Sequence, residues 1–146
     1  LVSISTAFDA VCAGVSSFIM GFLISKISSK WIASFSFFCL FIASVITIYA
    51  FDFWGMFISM SIFGVGIGGL IFIQNYIWAE KFGRENVGTI KGSSFFVIML
   101  IGGIGAPLSG YIKDVTDSYV FIWWISVLIL FILSISILFD RKNKSE

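Results

Sequence analysis

The chain has 146 residues, of which 59% are hydrophobic, 18% aromatic and only 12% charged, with a net charge of +1. Soluble domains usually carry about a quarter charged residues, so these charged side chains are too few to cover a water-facing surface. The near-neutral balance gives no global field that would attract nucleic acid, and the lack of histidine removes the usual haem and zinc ligand. The composition therefore predicts an integral membrane protein, with no metal and no cofactor expected.

Five apolar stretches are each long enough to cross a bilayer as a helix, which takes about 20 residues. They must be helical, because a backbone in lipid has to satisfy its own hydrogen bonds. The predicted fold is all-α, a polytopic transmembrane helix bundle of five spans followed by a basic tail at 140–146. The chain opens on Leu1 without a basic segment before the first apolar run, so we interpret it as a fragment without a signal peptide. The predicted spans are 3–25, 31–51, 54–79, 92–112 and 119–139.

Lysine and arginine lie almost entirely in alternate links, eight on one side against one on the other. The positive-inside rule then places the N-terminal end outside and the C-terminal tail in the cytoplasm of a multi-pass cell-membrane protein. The eight are Lys26, Lys30, Lys81, Arg84, Lys91, Arg141, Lys142 and Lys144, and the single exception is Lys113.

Glycine separates the spans into two kinds. The second and fifth spans contain no glycine, proline or charge, which predicts peripheral helices that contact lipid all round. The first, third and fourth spans contain glycines and the single proline, which predicts an inner layer, since small residues permit close helix approach and bends. Along the chain the spans are therefore inner, outer, inner, inner and outer. This order fits two three-helix units of which the first unit lacks its first helix, and repeated three-helix units are typical of transporters. The residues predicted to serve packing and bending are Gly64, Gly68, Gly103, Pro107 and Gly110.

Gly64–Gly69 also fits the GxGxxG pattern of dinucleotide-binding loops. That motif needs a strand before it and a helix N-terminus directed at pyrophosphate. Here the glycines lie within a continuous apolar run, so helix packing is the favoured interpretation.

Few polar side chains fall inside the spans, and each has two interpretations. Asp9 is the only ionisable residue well inside a span, where a carboxylate usually faces a bundle interior or a water-filled cavity. It could couple transport to protons or bind substrate, or it could pair with a charge elsewhere or hydrate near the outer face. Gln74, Asn75, Ser16 and Ser17 could line a pathway or form hydrogen bonds between helices.

Trp78–Gly92 resembles the loop between the tenth and eleventh helices of major facilitator superfamily transporters, closest to the monocarboxylate and oxalate–formate carriers. Gly105–Gly110 and Lys113–Tyr119 are similar to the family's pattern at the outer end of helix eleven. Gly21–Lys30 resembles the family's first-link motif. In that motif an Asp takes part in gating, and Ser25 stands at its position here. The gating role of that Asp therefore does not carry over to this chain. By this resemblance the spans correspond to helices eight to twelve of twelve. No basic residue lies within the first or fourth span, so nothing supports an anionic substrate.

The resemblance implies a secondary active transporter that moves a small solute by alternating access. Its expected partners are the lipid bilayer, the solute and the missing N-terminal half of the same protein, with no nucleic acid. The alternative is a non-transporting membrane scaffold or complex subunit. An intramembrane enzyme is not expected, since the chain has neither histidine nor a paired intramembrane Asp. The candidates for the cytoplasmic gate are Lys26, Glu80, Arg84 and Lys91. Alternatively, these residues only fix the topology and anchor the chain to lipid headgroups.

Overall fold

The chain folds into five long helices connected by short links. A computed structural model describes residues 2–50, 52–83, 85 and 87–139; the predicted tail at 140–146 lies outside them. All five helices are long and apolar enough to cross a membrane, and the described residues contain no strand, which confirms the all-α transmembrane bundle. The helices are α1 Val2–Leu23, α2 Ser29–Tyr49, α3 Phe53–Phe82, α4 Val87–Thr116 and α5 Val120–Phe139.

The third and fourth helices are longer than the apolar stretches that predicted them. Each has 30 residues, roughly 45 Å at 1.5 Å per residue, whereas the hydrocarbon core is about 30 Å thick. Their ends therefore reach the headgroup region and carry charged side chains there. At one end of the bundle these side chains are Glu80, Lys81 and Lys91, and at the other they are Lys113 and Asp114.

Helix α3 lies between α1 and α2 and packs against both, and α2 packs in turn against α5. Along α3, Gly64 faces Asp9 and Gly68 faces Ala13, so α1 runs parallel to α3. The links that follow α1 and α3 consequently lie at the same end of the bundle. We call this end the basic end, after Lys26, Lys30, Lys81 and Lys91.

The glycines of α3 serve two different faces of this helix. Gly64 and Gly68 are one turn apart and contact α1, where an added Cβ would collide with the backbone carbonyls of Asp9 and Ala13. Gly66 and Gly69 point the other way, where an added Cβ would meet Leu40 and Ser36 of α2. Both neighbours thus approach α3 more closely than any larger residue would permit.

Helix α2 is more enclosed than its composition predicted. Ser36 and Ala43 are fully buried, and the buried face of α2 packs against α3 and α5. The expectation that α2 contacts lipid all round is wrong, because serine and alanine give this helix a narrow face that packs without any glycine. α5 is largely exposed, but it buries Val127 and Ser134.

Helix α4 is the least enclosed of the described helices. None of its residues is buried, and it contacts α3 only weakly. Pro107 lies inside the helix, and a Cβ at Gly103 or Gly110 would meet nothing within 4 Å. The inner position of α4 and the packing role of these residues therefore stay predictions.

Candidate functional site

Asp9 lies in the first half of α1 and faces the glycine stripe of α3. The residue is partly exposed, but its Oδ1 atom is buried and has no hydrogen-bond partner among the described residues. A Cβ added at Gly64 would lie 2.8 Å from this oxygen, so only glycine leaves room for it. A buried polar atom without a partner is uncommon in folded proteins, and it often marks a functional group or the place of a water molecule or an ion.

The surroundings of Asp9 are apolar. Helix α3 carries no charged residue between Asp52 at its start and Glu80 near its end. Phe8, the residue before Asp9, packs its ring on that of Phe57 of α3, with the centroids 4.8 Å apart. A charged carboxylate in a membrane helix costs about 2.5–3.5 kcal/mol on insertion scales, and no described cation offsets this cost here. Among the described residues, the buried Oδ1 of Asp9 therefore has neither a hydrogen-bond donor nor a cation beside it.

Ser16 and Ser17, which follow Asp9 along α1, form hydrogen bonds between α1 and α3. Ser16 Oγ donates to the carbonyl of Val65 at 2.8 Å, and Ser17 Oγ donates to the carbonyl of Gly68 at 2.8 Å. Most other hydroxyls in the bundle bond one turn back within their own helix, as Ser61 does to Phe57. Of the two interpretations of Ser16 and Ser17, these bonds favour the interhelical one.

A cavity of about 820 Å³ opens at the basic end between α2, α3 and α5. Its deeper wall is apolar and includes Phe37 and Ile73, whereas its rim is polar and charged. Of the predicted residues it contains Gln74 and Glu80. The lysines on its rim are Lys30 and Lys81, which the sequence placed in the two segments that resemble the family's loops.

A second cavity, of about 630 Å³, lies between α3 and α4 at the same end. Gln74, Asn75 and Lys91 all line it, together with Trp78. The Asn75 amide donates to the carbonyl of Ile71 at 2.8 Å, so its oxygen remains available to the cavity. Gln74 borders both cavities, since it occupies the strip of α3 between them.

The structure does not gather the gate candidates into one cluster. Glu80 lies at the larger cavity and Lys91 at the smaller one, whereas Lys26 is exposed in the turn after α1 and lines neither. Arg84 lies outside the described residues. The gate therefore stays a prediction.

Several interhelical polar contacts were missed by sequence reasoning. Ser59 Oγ donates to the carbonyl of Ala43 at 2.9 Å and also bonds Thr47 Oγ1, and Ser34 bonds Ser134 between α2 and α5. The only available signal was the presence of hydroxyl residues within apolar spans, which does not identify their partners. The described residues contain no group of metal-ligating side chains.

Five helices long and apolar enough to cross a membrane, one of which carries a carboxyl with a buried oxygen, are the features of a polytopic membrane protein. The whole chain, residues 1–146, matches the model of the Major Facilitator Superfamily, and the chain belongs to that family. Its members are secondary transporters rather than enzymes. No curated protein and no solved structure matches the chain.

Proposed function

We propose that this chain is part of a secondary active transporter that moves a small solute by alternating access, with proton coupling at Asp9. Family membership along the whole chain supports the transport function. The proposed coupling is supported by Asp9, which lies within a helix long and apolar enough to cross a membrane. Its buried Oδ1 has no hydrogen-bond partner among the described residues. Protonation gives this carboxyl a neutral form that an apolar site tolerates.

The five helices correspond, in this proposal, to helices eight to twelve of a twelve-helix transporter related to the monocarboxylate and oxalate–formate carriers. The N-terminal half of the same protein completes the pathway. The large exposed surface of α4, where no residue is buried, supports further helices packing against it. The fragment's N-terminal end lies outside and its C-terminus in the cytoplasm, so the basic end faces the cytoplasm.

The cavity between α3 and α4 is the part of the pathway on the cytoplasmic side. Its volume of about 630 Å³ lies within the range of small-molecule sites. Gln74 and Asn75 supply amide groups that can donate and accept hydrogen bonds with a solute. Lys91 lines this cavity and Glu80 lines the larger one between α2, α3 and α5, and pairing of these charges with the N-terminal half would close the gate.

The test is uptake by the full-length protein in proteoliposomes under an inward proton gradient, measured over a panel of labelled small organic solutes. We expect uptake of at least one solute above protein-free vesicles, and collapse of the gradient should reduce its accumulation. A correctly folded protein that moves none of the panel would contradict the proposal and favour the scaffold alternative.

A further inference from the structure

The larger cavity at the basic end is not part of the proposed solute pathway, which follows the cavity between α3 and α4. It lies between α2, α3 and α5 and has a volume of about 820 Å³. One of its walls belongs to α5, a largely exposed helix that contains no charged residue. The cavity therefore adjoins a surface of the described bundle that is compatible with lipid.

The walls of this cavity change from apolar to charged along the helix axes. On α3 they run from Leu70 to Lys81, eleven residues apart, which is roughly 16 Å at 1.5 Å per residue. On α2 they run from Phe37 back to Lys30 and Ser29, where the helix begins. One leaflet contributes roughly 15 Å of the hydrocarbon core. The cavity thus has the depth of one leaflet, with its apolar part inside and its charged mouth at the basic end.

The charges at the mouth indicate the kind of headgroup that fits. Among the described residues the mouth carries Lys30, which is half-buried, and the exposed Lys81 and Glu80, so their sum is positive. A lysine ammonium group binds phosphate oxygens as a point charge. Ser29 and Gln74 line the same cavity and can form hydrogen bonds with ester or headgroup oxygens. An anionic amphiphile satisfies both the charged mouth and the apolar wall.

We propose that this cavity binds one anionic glycerophospholipid from the leaflet at the basic end. The phosphate lies between Lys30 and Lys81, and one acyl chain runs inward along Ile73 and Phe37. A volume of about 820 Å³ is that of a site for a drug-sized molecule. The cavity therefore takes the headgroup and the upper part of one chain, and the remainder of the lipid stays in the bilayer. Basic pockets between membrane helices are suited to anionic headgroups for this reason.

The bound lipid connects helices that belong to different parts of the bundle. Lys30 lies on α2 and Lys81 on α3, so one phosphate shared by both lysines links these two helices. The acyl chain in addition contacts Ile137 of α5. The lipid is thus a structural component of the bundle, and its binding does not depend on proton coupling at Asp9.

The test counts the lipid molecules that stay bound to the full-length protein in native mass spectrometry. The protein in detergent is titrated with phosphatidylglycerol and, separately, with phosphatidylcholine that has the same acyl chains. We expect one phosphatidylglycerol to be retained at concentrations at which phosphatidylcholine is not. Lys30→Gln and Lys81→Gln should each weaken the retention of phosphatidylglycerol roughly five-fold, which is the effect of one lysine on an anionic headgroup.

Three further variants make the outcome specific to this cavity. Lys26→Gln is the matched control, because Lys26 is exposed at the same end but lines neither cavity, and it should retain the lipid as the wild type does. Glu80→Gln removes a negative charge from the mouth and should strengthen retention, which misfolding does not do. Ser136→Phe places a ring in the cavity from α5 and should weaken retention without any change of charge.

Equal retention of the two lipids would overturn the site, and so would a loss in Lys26→Gln as large as that in Lys30→Gln. Unchanged retention in Ser136→Phe would place the lipid elsewhere at the basic end. A full-length protein that retains no phosphatidylglycerol would contradict the proposal as well, since another segment of the protein would then fill the cavity. None of these outcomes bears on the proposed transport function, which uptake tests separately.

Discussion

Ser34 of α2 and Ser134 of α5 bind each other across 100 residues of sequence. Ser34 Oγ donates to the carbonyl of Ser134 at 2.8 Å, and Ser134 Oγ donates back to the carbonyl of Ser34 at 3.3 Å. Both residues are buried. This reciprocal pair links α5 to α2, the described helix against which α5 mainly packs.

Removing the two hydroxyls should weaken the packing of α5 on α2 and lower the free energy of unfolding. Hydrogen bonds between membrane helices contribute about 0.6 kcal/mol on average. Because each bond joins a hydroxyl to a backbone carbonyl of the other helix, Ser34→Ala and Ser134→Ala should each lower the free energy of unfolding in detergent by about this amount. The two effects should be nearly additive in the double variant. Ser126→Ala is the matched control, because Ser126 bonds only to Ile122 within α5. A double variant with the unfolding free energy of the wild type would show that the pair does not hold α5 to α2.

The glycines of α3 and α4 should respond differently to the same change. Gly68→Ala forces a methyl group against the Ala13 carbonyl, and overpacking of this kind costs about 1–3 kcal/mol. Gly102→Ala meets nothing within 4 Å in the described chain, so the melting temperature should stay near that of the wild type. Thermal unfolding of the two variants, each made in this 146-residue chain and purified in detergent, distinguishes them. A greater loss for Gly102→Ala would place the close helix contact on α4 instead of α3.

Ser16 and Ser17 should matter for stability more than for solute affinity. Each hydroxyl already donates to an α3 carbonyl, so Ser16→Ala and Ser17→Ala each remove an interhelical hydrogen bond that contributes about 0.6 kcal/mol. We expect lower melting temperatures with an unchanged KM for uptake. A several-fold rise in KM at full stability would assign these hydroxyls to the solute pathway.

The membrane orientation is open to a direct check. With Cys12 and Cys39 replaced, a single cysteine at Glu85 in the α3–α4 link should resist an impermeant maleimide added to intact cells. A single cysteine at Ser118 in the α4–α5 link should react, since the positive-inside rule places that link outside. The reverse labelling pattern would invert the bundle and move the basic end to the external face.

Hydropathy was sufficient to predict the five helices, because a lipid-facing backbone leaves no other fold for such long apolar runs. The arrangement of the helices was harder to predict. The glycines of α3 fall on two faces, so composition indicates close packing without showing that Gly64 meets α1 and Gly66 meets α2. Helix α2 was misassigned to the lipid because buried serine and alanine resemble lipid-compatible residues in a sequence.

The candidate site was only partly visible in the sequence. Asp9 stood out as an intramembrane acid, but the burial of its Oδ1 depends on Gly64, which is 55 residues away in the chain. The sequence positions of Gln74 and Lys91 likewise did not predict that both line one cavity. Their proximity depends on how α4 packs against α3.

Proton movement during transport is the most direct measurement of coupling at Asp9. Proteoliposomes containing the full-length protein and an enclosed pH-sensitive dye are given a transported solute without any imposed gradient. The account predicts a solute-dependent change of internal pH for the wild type and its loss in Asp9→Asn, with solute exchange between the two sides retained. A change of internal pH that persists unaltered in Asp9→Asn would contradict the account.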